Sequence, residues 1–443
     1  MPMFRVGLLL VACSLWVSCG KLQRGCGSAS EQSRQRSSRD ELNRMLGRVP
    51  ADADGRWSKL RAPKSPKEAE LETQIRQLEA LGYASGTKTA PTLSGVTLHD
   101  DERAYPGLNF YTSGHAAEAV LMTMDGRVLH RWARDFWDVW PRDRADRTSD
   151  GTHHWRRAYP FPNGDLLAIY EGIGLVKLDK ASNVIWARRN GAHHDFQVLS
   201  NGDIAILARQ ARVIDRVDEK RPTLEDFVLI LDSSGREKER YSVLEAFERS
   251  AQYRMIWDDS PRHFGDVFHT NSIQVLDGRF ASVNSAFKRG NFLLSSRQLS
   301  TVFVVSPETK EVVWALRGGF KAQHDARLLD DGSLMLFDNS GRGHVSSVQV
   351  YDLTSDTIRW EYRGSEEQPF YTRFCGAAQR LPNGDTLITE SDNGRAFEVT
   401  LDGAIVWEFY NPHRAGDEDE FIAALFQVDR FPLDFPAFWT SPK

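Results

Sequence analysis

Histidine, asparagine and arginine recur at matching places in strand-like segments of this 443-residue chain. When the segments before successive hairpin turns are aligned on the apolar pair that precedes each turn, the residue five places before the second member is Arg156, His194, Asn271, His324 and Gly376. Two places earlier stand His154, Ala192, His269, Ala322 and Phe374. Strand side chains alternate with period two, so the two rows are expected on one side, His154 beside Arg156 and His269 beside Asn271. Holding so many polar and titratable groups at one level costs desolvation that a purely structural ring has no need to bear, which favours a site over packing.

Three chemistries suit such a ring. Neutral imidazoles bind iron, copper or zinc, and His154, His194, His269 and His324 form one such set. They also serve as general acid and base, or as a covalent nucleophile. Arg297, in the segment LLSSRQLSTVFVV, is expected at the start of the strand after the His269 strand. Its guanidinium would repel a bound cation and clamp a tetrahedral oxyanion through fixed donors. His, His, Asn and Arg therefore read as a cradle for sulfate or phosphate oxygens, and no metal or other cofactor is assigned.

The elements that must bring these residues together repeat along the chain. Five times a short phrase closes on Trp, at Trp132, Trp186, Trp314, Trp360 and Trp407, and a sixth copy closes on Tyr241. A second marker precedes these phrases: PFPNGD, VLSNGD, VLDGR, LLDDGS and LPNGD place Asn-Gly or Asp-Gly at a hairpin corner. One antiparallel unit repeated in this way predicts an all-β chain folded as a six-bladed β-propeller between about residues 100 and 412, its first unit built on a different corner. In that fold the innermost strands line a central channel, where His194, His269, Asn271 and His324 should converge. Trp155, Tyr371 and Phe374 are placed where an aryl ring could stack.

The segments HTNSIQV, SSRQLSTVFVVSPETKEVVWAL, AQHDARLLDDG and AQRLPNGDTLITES resemble the bacterial arylsulfate sulfotransferases, six-bladed propellers that work without a nucleotide sulfate donor. The resemblance runs over most of residues 95 to 412. It implies that His324 is the nucleophile, that His269, Asn271 and Arg297 hold the sulfate, and that His194, in preference to His193, completes the site. His154 and Arg156 are further candidates for substrate contact. Transfer would run by a ping-pong route from an aryl sulfate to a phenol through a sulfohistidine, with His194 or His269 moving the proton. A family Thr has only Thr389 or Ser391 as counterparts, and the family's disulfide near the active site has none, because Cys375 alone of the four cysteines lies in the repeats. Two other readings remain open: a metal-dependent propeller enzyme, and a non-enzymatic scaffold of the quinoprotein-like kind.

A net charge of -5 gives no electrostatic reason to expect nucleic acid. Residues 1–19 read as an export signal, with Arg5 before the apolar run VGLLLVACSLWV, and Cys19 before Gly20 resembles a lipidated cysteine. The protein is accordingly expected outside the cytoplasm, periplasmic or anchored to a membrane through Cys19. Residues 20–65 carry eleven Lys/Arg against five Asp/Glu and read as a basic tether. Residues 66–94 hold an amphipathic helix with Leu71, Ile75, Leu78 and Leu81 on one face, which would pack on the propeller or on a second copy in a homodimer. The propeller and a C-terminal extension are assigned to 95–443.

Overall fold

The computed structural model describes residues 91–435, apart from 144–149, 261–262, 264, 342–344 and 416–418. The signal, tether and helix expected before residue 91, Cys19 included, lie outside these residues. Six antiparallel sheets surround one axis. Blade 2 is formed by Trp155–Pro160, Leu166–Tyr170, Gly174–Leu178 and Val184–Arg188, and blade 3 by Ala192–Val198, Ile204–Ile214, Asp218–Leu231 and Glu237–Ser242. Blade 4 runs Thr270–Val275, Phe292–Ser296, Thr301–Ser306 and Glu311–Leu316, and blade 5 His324–Leu328, Leu334–Asp338, Ser347–Asp352 and Thr357–Arg363. In each of these the first strand is innermost.

The two ends of the chain interlock. Blade 1 takes Leu108–Ser113, Glu118–Met122 and Val128–Ala133 from the start of the repeat, but its innermost strand is Leu425–Phe431. The expected C-terminal extension is thus the missing quarter of the first blade, which explains why that unit lacks the inner hairpin turn. Blade 6, formed by Ala377–Arg380, Thr386–Glu390, Arg395–Val399 and Ile405–Tyr410, gains Gly95–His99 as a fifth, outermost strand. Arg430 fastens the seam. It pairs with Glu398 of blade 6, donates from Nε to Asn109 Oδ1 of blade 1 at 2.8 Å and lies 4.9 Å from the Trp407 ring. Both members of the ion pair are fully buried, so removing either would strand the other's charge.

The two repeated sequence markers have distinct physical roles. In four blades the turn glycine sits at positive φ, between 84° and 93° for Gly164, Gly202, Gly332 and Gly384. There a side chain would be strained. Blade 4 departs from this. Asp277-Gly278 does not close its hairpin but opens the excursion 276–291, and Gly290, at φ 88°, takes over the corner by donating to Leu276 O while Leu276 N donates to Asn291 O, both at 2.8 Å. The tryptophans clasp neighbouring blades. Trp132 Nε1 donates to Gly164 O, Trp186 to Ser233 O, Trp360 to Leu401 O and Trp407 to Met124 O, at 2.9–3.2 Å, each acceptor lying in a turn of the next blade. Trp314 instead meets Phe287 edge-on at 5.2 Å, and Tyr241 reaches Phe292 of blade 4 at 5.3 Å. Trp132 and Trp407 are fully buried and the other three are largely covered, so the repeat marks interblade packing.

A third repeat went unread in the sequence. Gln197, Gln274, Gln379 and Gln427 occupy one position of the inner strands and accept from the backbone N–H of Val275, Leu328, Arg430 and Ala158 in the following blade, at 2.6–2.9 Å. These bonds satisfy an edge that faces the channel with no strand to pair with.

Replacing Trp407 with Ala should lower unfolding free energy by about 3–5 kcal/mol through the cavity left behind. Trp407→Phe keeps a six-membered ring but loses the pyrrole ring with its donor to Met124 O, so a smaller loss of about 1–3 kcal/mol is expected. Urea unfolding followed by fluorescence of the remaining tryptophans measures both, and a Trp407→Phe variant as stable as the wild type would show that the indole N–H contributes nothing.

Candidate active site

The inner strands do not stay regular up to the channel. Register slips occur where Arg156 follows Trp155, across 193–195, at Asn271 and across 325–326. A bulge of this kind breaks the two-residue alternation and re-aims the extra side chain. His194 and His269 also take left-handed backbone angles, φ 54° and 50°, which cost about 1–3 kcal/mol each and persist where surrounding structure enforces them. This is how residues from two different rows of the alignment, which alternation places on one side but two residues apart along the strand, come to meet.

The imidazoles of His194, His269 and His324 offer nitrogens all within 4.8 Å of one another. His194 Nε2 and His269 Nε2 stand 3.1 Å apart, and the His269 and His324 rings are 6.3 Å apart, edge to face. His194, His324, Asn271 and Arg156 line one small cavity together with Phe426 and Gly376. Asn271 Nδ2 donates to Gln323 O at 2.7 Å, leaving its buried Oδ1 without a hydrogen-bond partner among the described residues. Arg156 NH1 reaches Phe426 O at 3.4 Å. Arg297 closes the second strand of blade 4 instead of opening the next one, and its backbone N donates to His269 O at 3.2 Å. Its guanidinium field reaches His324, as does that of Arg156.

Other expected residues lie elsewhere. His154 is stacked at 4.5 Å on Phe426, a wall residue of that cavity, and is not itself among the cavity's lining residues. Trp155 does not line a mouth: it is fully buried against Tyr170 in the blade core. Thr389 Oγ1 accepts from Val428 N and Ser391 Oγ from Gly376 N, both as supports of the channel wall. Phe374 packs beside Cys375, Ala424 and Phe426.

Each imidazole is held from behind by a residue the sequence reading passed over. Glu171 accepts from His194 N at 2.9 Å and sits 3.3 Å from His194 Nδ1, while Arg209 braces the same carboxylate at 3.2 Å. Asp266 binds His269 Nδ1 at 2.5 Å, and Asn339 Oδ1 lies 2.7 Å from His324 Nδ1. Glu171, Arg297, Asn339 and Ser391 are the residues that directly follow the second strands of blades 2, 4, 5 and 6. Reading that column across the repeats, one strand out from the channel, would have added Glu171 and Asn339 to Arg297 and Ser391. Asp266 was reachable as the carboxylate three places before His269.

Burial is the main influence on the titration of these groups. It drives His193, His194 and His324 well below the ordinary imidazole value, helped at His324 by His269 and Arg297. These rings are therefore neutral at neutral pH. Burial and the neighbouring Asp266 carry Asp226 up to about 7. Asp266 is raised by burial too, but the charge and hydrogen bond of His269 outweigh this and bring it down to about 2. The arrangement combines neutral imidazoles able to attack or accept a proton, an ionised carboxylate behind His269, and two guanidinium groups whose fields favour an anion over a metal ion.

The buried bases make stability acid-sensitive. An unfolded chain protonates His324 below its ordinary value of 6.5, whereas the folded chain does not until far lower pH, so folding free energy is lost as pH falls through and below 6.5. The wild-type loss between pH 7.5 and 5 should exceed that of His324→Asn, which lacks this base, with Asp226 opposing equally in both. Chemical denaturation at the two pH values gives the comparison, and parallel slopes would mean that His324 is charged in the fold.

Solved structures similar to this chain include a Bacteroides caccae protein of unknown function (12% identity, TM-score 0.47, covering 73% of this chain and 98% of that one). Another is a streptogramin B lyase (12%, TM-score 0.41, 78% and 97%), and a third is the virginiamycin B lyase of Staphylococcus aureus (10%, TM-score 0.40, 74% and 88%). A search of curated proteins gives no match. The family model for arylsulfotransferase (ASST) matches residues 161–412, which carry every member of the imidazole cluster, and the chain belongs to that family.

Proposed function

We propose that the axial cluster moves a sulfuryl group from an aryl sulfate to a phenol through a covalent adduct on His324. The observation that carries this reading is a neutral imidazole buried beside two guanidinium fields, in a chain of the arylsulfotransferase family. Arg297, His269 and the second N–H of Asn271 Nδ2 would hold the sulfate oxygens, with His194 and Arg156 at the margin. His324 Nε2 attacks sulfur, the S–O ester bond breaks, and its electron pair leaves with the aryl oxygen. That oxygen takes a proton from His269, whose Nδ1 is anchored on Asp266. The acceptor phenol returns its proton to His269 and removes the sulfuryl group from Nε2. Such transfers pass through loose transition states, so the residues act by positioning and by charge. Export, and tethering through Cys19, belong to the same proposal.

Incubation with a chromogenic aryl sulfate and a phenol should release colour and sulfate the phenol. Rapid quench without acid followed by peptide mass analysis should find the sulfuryl group on the peptide containing His324. His324→Asn should abolish turnover while still binding the donor. Arg297→Ala should weaken both binding and turnover by about 1.5–3 kcal/mol, the worth of a charge-assisted contact. His269→Ala should lower kcat about 10²–10⁴-fold, as loss of an acid–base group does. Activity surviving in His324→Asn would end the covalent reading. Stoichiometric iron or zinc in active protein would favour a metal at the three imidazoles.

A further inference from the structure

We infer that Asn339 is the residue that makes His324 a nucleophile, by fixing its proton on Nδ1 and leaving the Nε2 lone pair to face the substrate. The inference rests on the reading that His324 carries the sulfuryl group. Asn339 is fully buried, and its orientation is determined by its partners. Its Nδ2 donates to two carbonyls, Thr372 O at 3.1 Å and Cys375 O at 2.8 Å, so the oxygen, not the nitrogen, must face His324 Nδ1 at 2.7 Å. Ala322 O stands 3.1 Å from the same Nδ1. Two acceptors and no donor leave one tautomer. Two of the three residues that supply these carbonyls, Ala322 and Cys375, are held at positive φ, 56° and 55°, so local strain accompanies the aim of those carbonyls.

The choice of an amide matters because the other two imidazoles do not have one. His194 and His269 are backed by the carboxylates Glu171 and Asp266, which stabilise an imidazolium. A carboxylate behind His324 would hold the ring protonated and remove its lone pair. It would also neutralise the adduct. When Nε2 forms its bond to sulfur, Nδ1 keeps its proton and the sulfonated ring becomes cationic. Asn339 cannot take that proton, so the ring remains a good leaving group for the phenol that follows. His194 stands in the same trio, and among the charged or titratable groups around His324 the strongest influences, His269, Arg297 and Arg156, all oppose its protonation.

Histidine nitrogen NMR of wild-type protein tests the tautomer without any change at Asn339, the His324 signals being identified by their loss in His324→Asn. A protonated Nδ1 with an unprotonated Nε2 at pH 7.5 is expected, and the reverse overturns the inference. Asn339→Asp then tests the amide: a carboxylate this close raises the imidazole by about 1–3 pH units, so the acidic limb of the kcat profile should move up by that amount. The adduct should also persist longer after quench. Asn339→Leu should lose kcat at every pH with donor binding retained, and Asn339→Asp should recover turnover at alkaline pH. A folded Asn339→Asp whose acidic limb stays in place overturns the inference. If the wild-type protein transfers no sulfuryl group, the functional reading fails, while the nitrogen spectra still decide the role of Asn339.

Discussion

Each inner strand of a closed ring of blades has one edge with nothing to pair with, and its N–H and C=O groups face the channel. Leaving them unsatisfied at this depth would cost about 1–3 kcal/mol apiece, so the walls must supply side chains to meet them. Four glutamines do this near the turns. Further in, Asp195 accepts from Ile273 N, Asp226 from Thr270 N and Asp325 from Ala378 N. Asp195 is bound in turn by Arg157 and Arg327. The channel floor is thus a polar lattice that joins blades 2 to 6, and it is rigid because its members have several partners each.

The histidines occupy the part of the same edge where this lattice gives out. Bulges end the regular ladder at 193–195, Asn271 and 325–326, and the freed side chains turn towards one another. Positioning accuracy then comes from the next strand outward, whose last residues back the rings. The insertion after blade 3 adds to this. Its helix Val243–Arg249, capped by Ser242 and anchored by Phe247 on Phe268, leads into the segment that carries both Asp266 and His269.

The blade count and the identity of the converging residues were legible in the sequence because both rest on local repetition: a Trp that needs an acceptor in the next blade, a glycine at positive φ, a polar residue at a fixed distance from the turn. What escaped depends on departures from the repeat. Period-two alternation put His154 beside Arg156, but it could not show that Phe426 of the closing strand would meet both, the imidazole stacked on its ring and the guanidinium over it. Gly278 carried the right dipeptide, but the chain closed its hairpin at Gly290. Leu425–Phe431 has the same Phe-Gln-Val pattern as Phe196–Val198, yet with no turn beside it nothing local marks it as an inner strand.

That last strand also sets the order in which the protein can assemble. Arg430 meets Tyr105 across 325 positions of sequence, and Phe426 of the same strand forms part of the cavity wall. Contacts this distant form late and slowly, since the chain entropy of closing so long a loop has to be overcome first. The other five blades can form from neighbouring hairpins as the chain emerges. The binding cavity cannot, because one of its walls belongs to a strand that follows all the other blades in sequence. A nascent or truncated chain would have its histidines in place and no enclosed site, so competence of the cavity and completion of the ring are a single event.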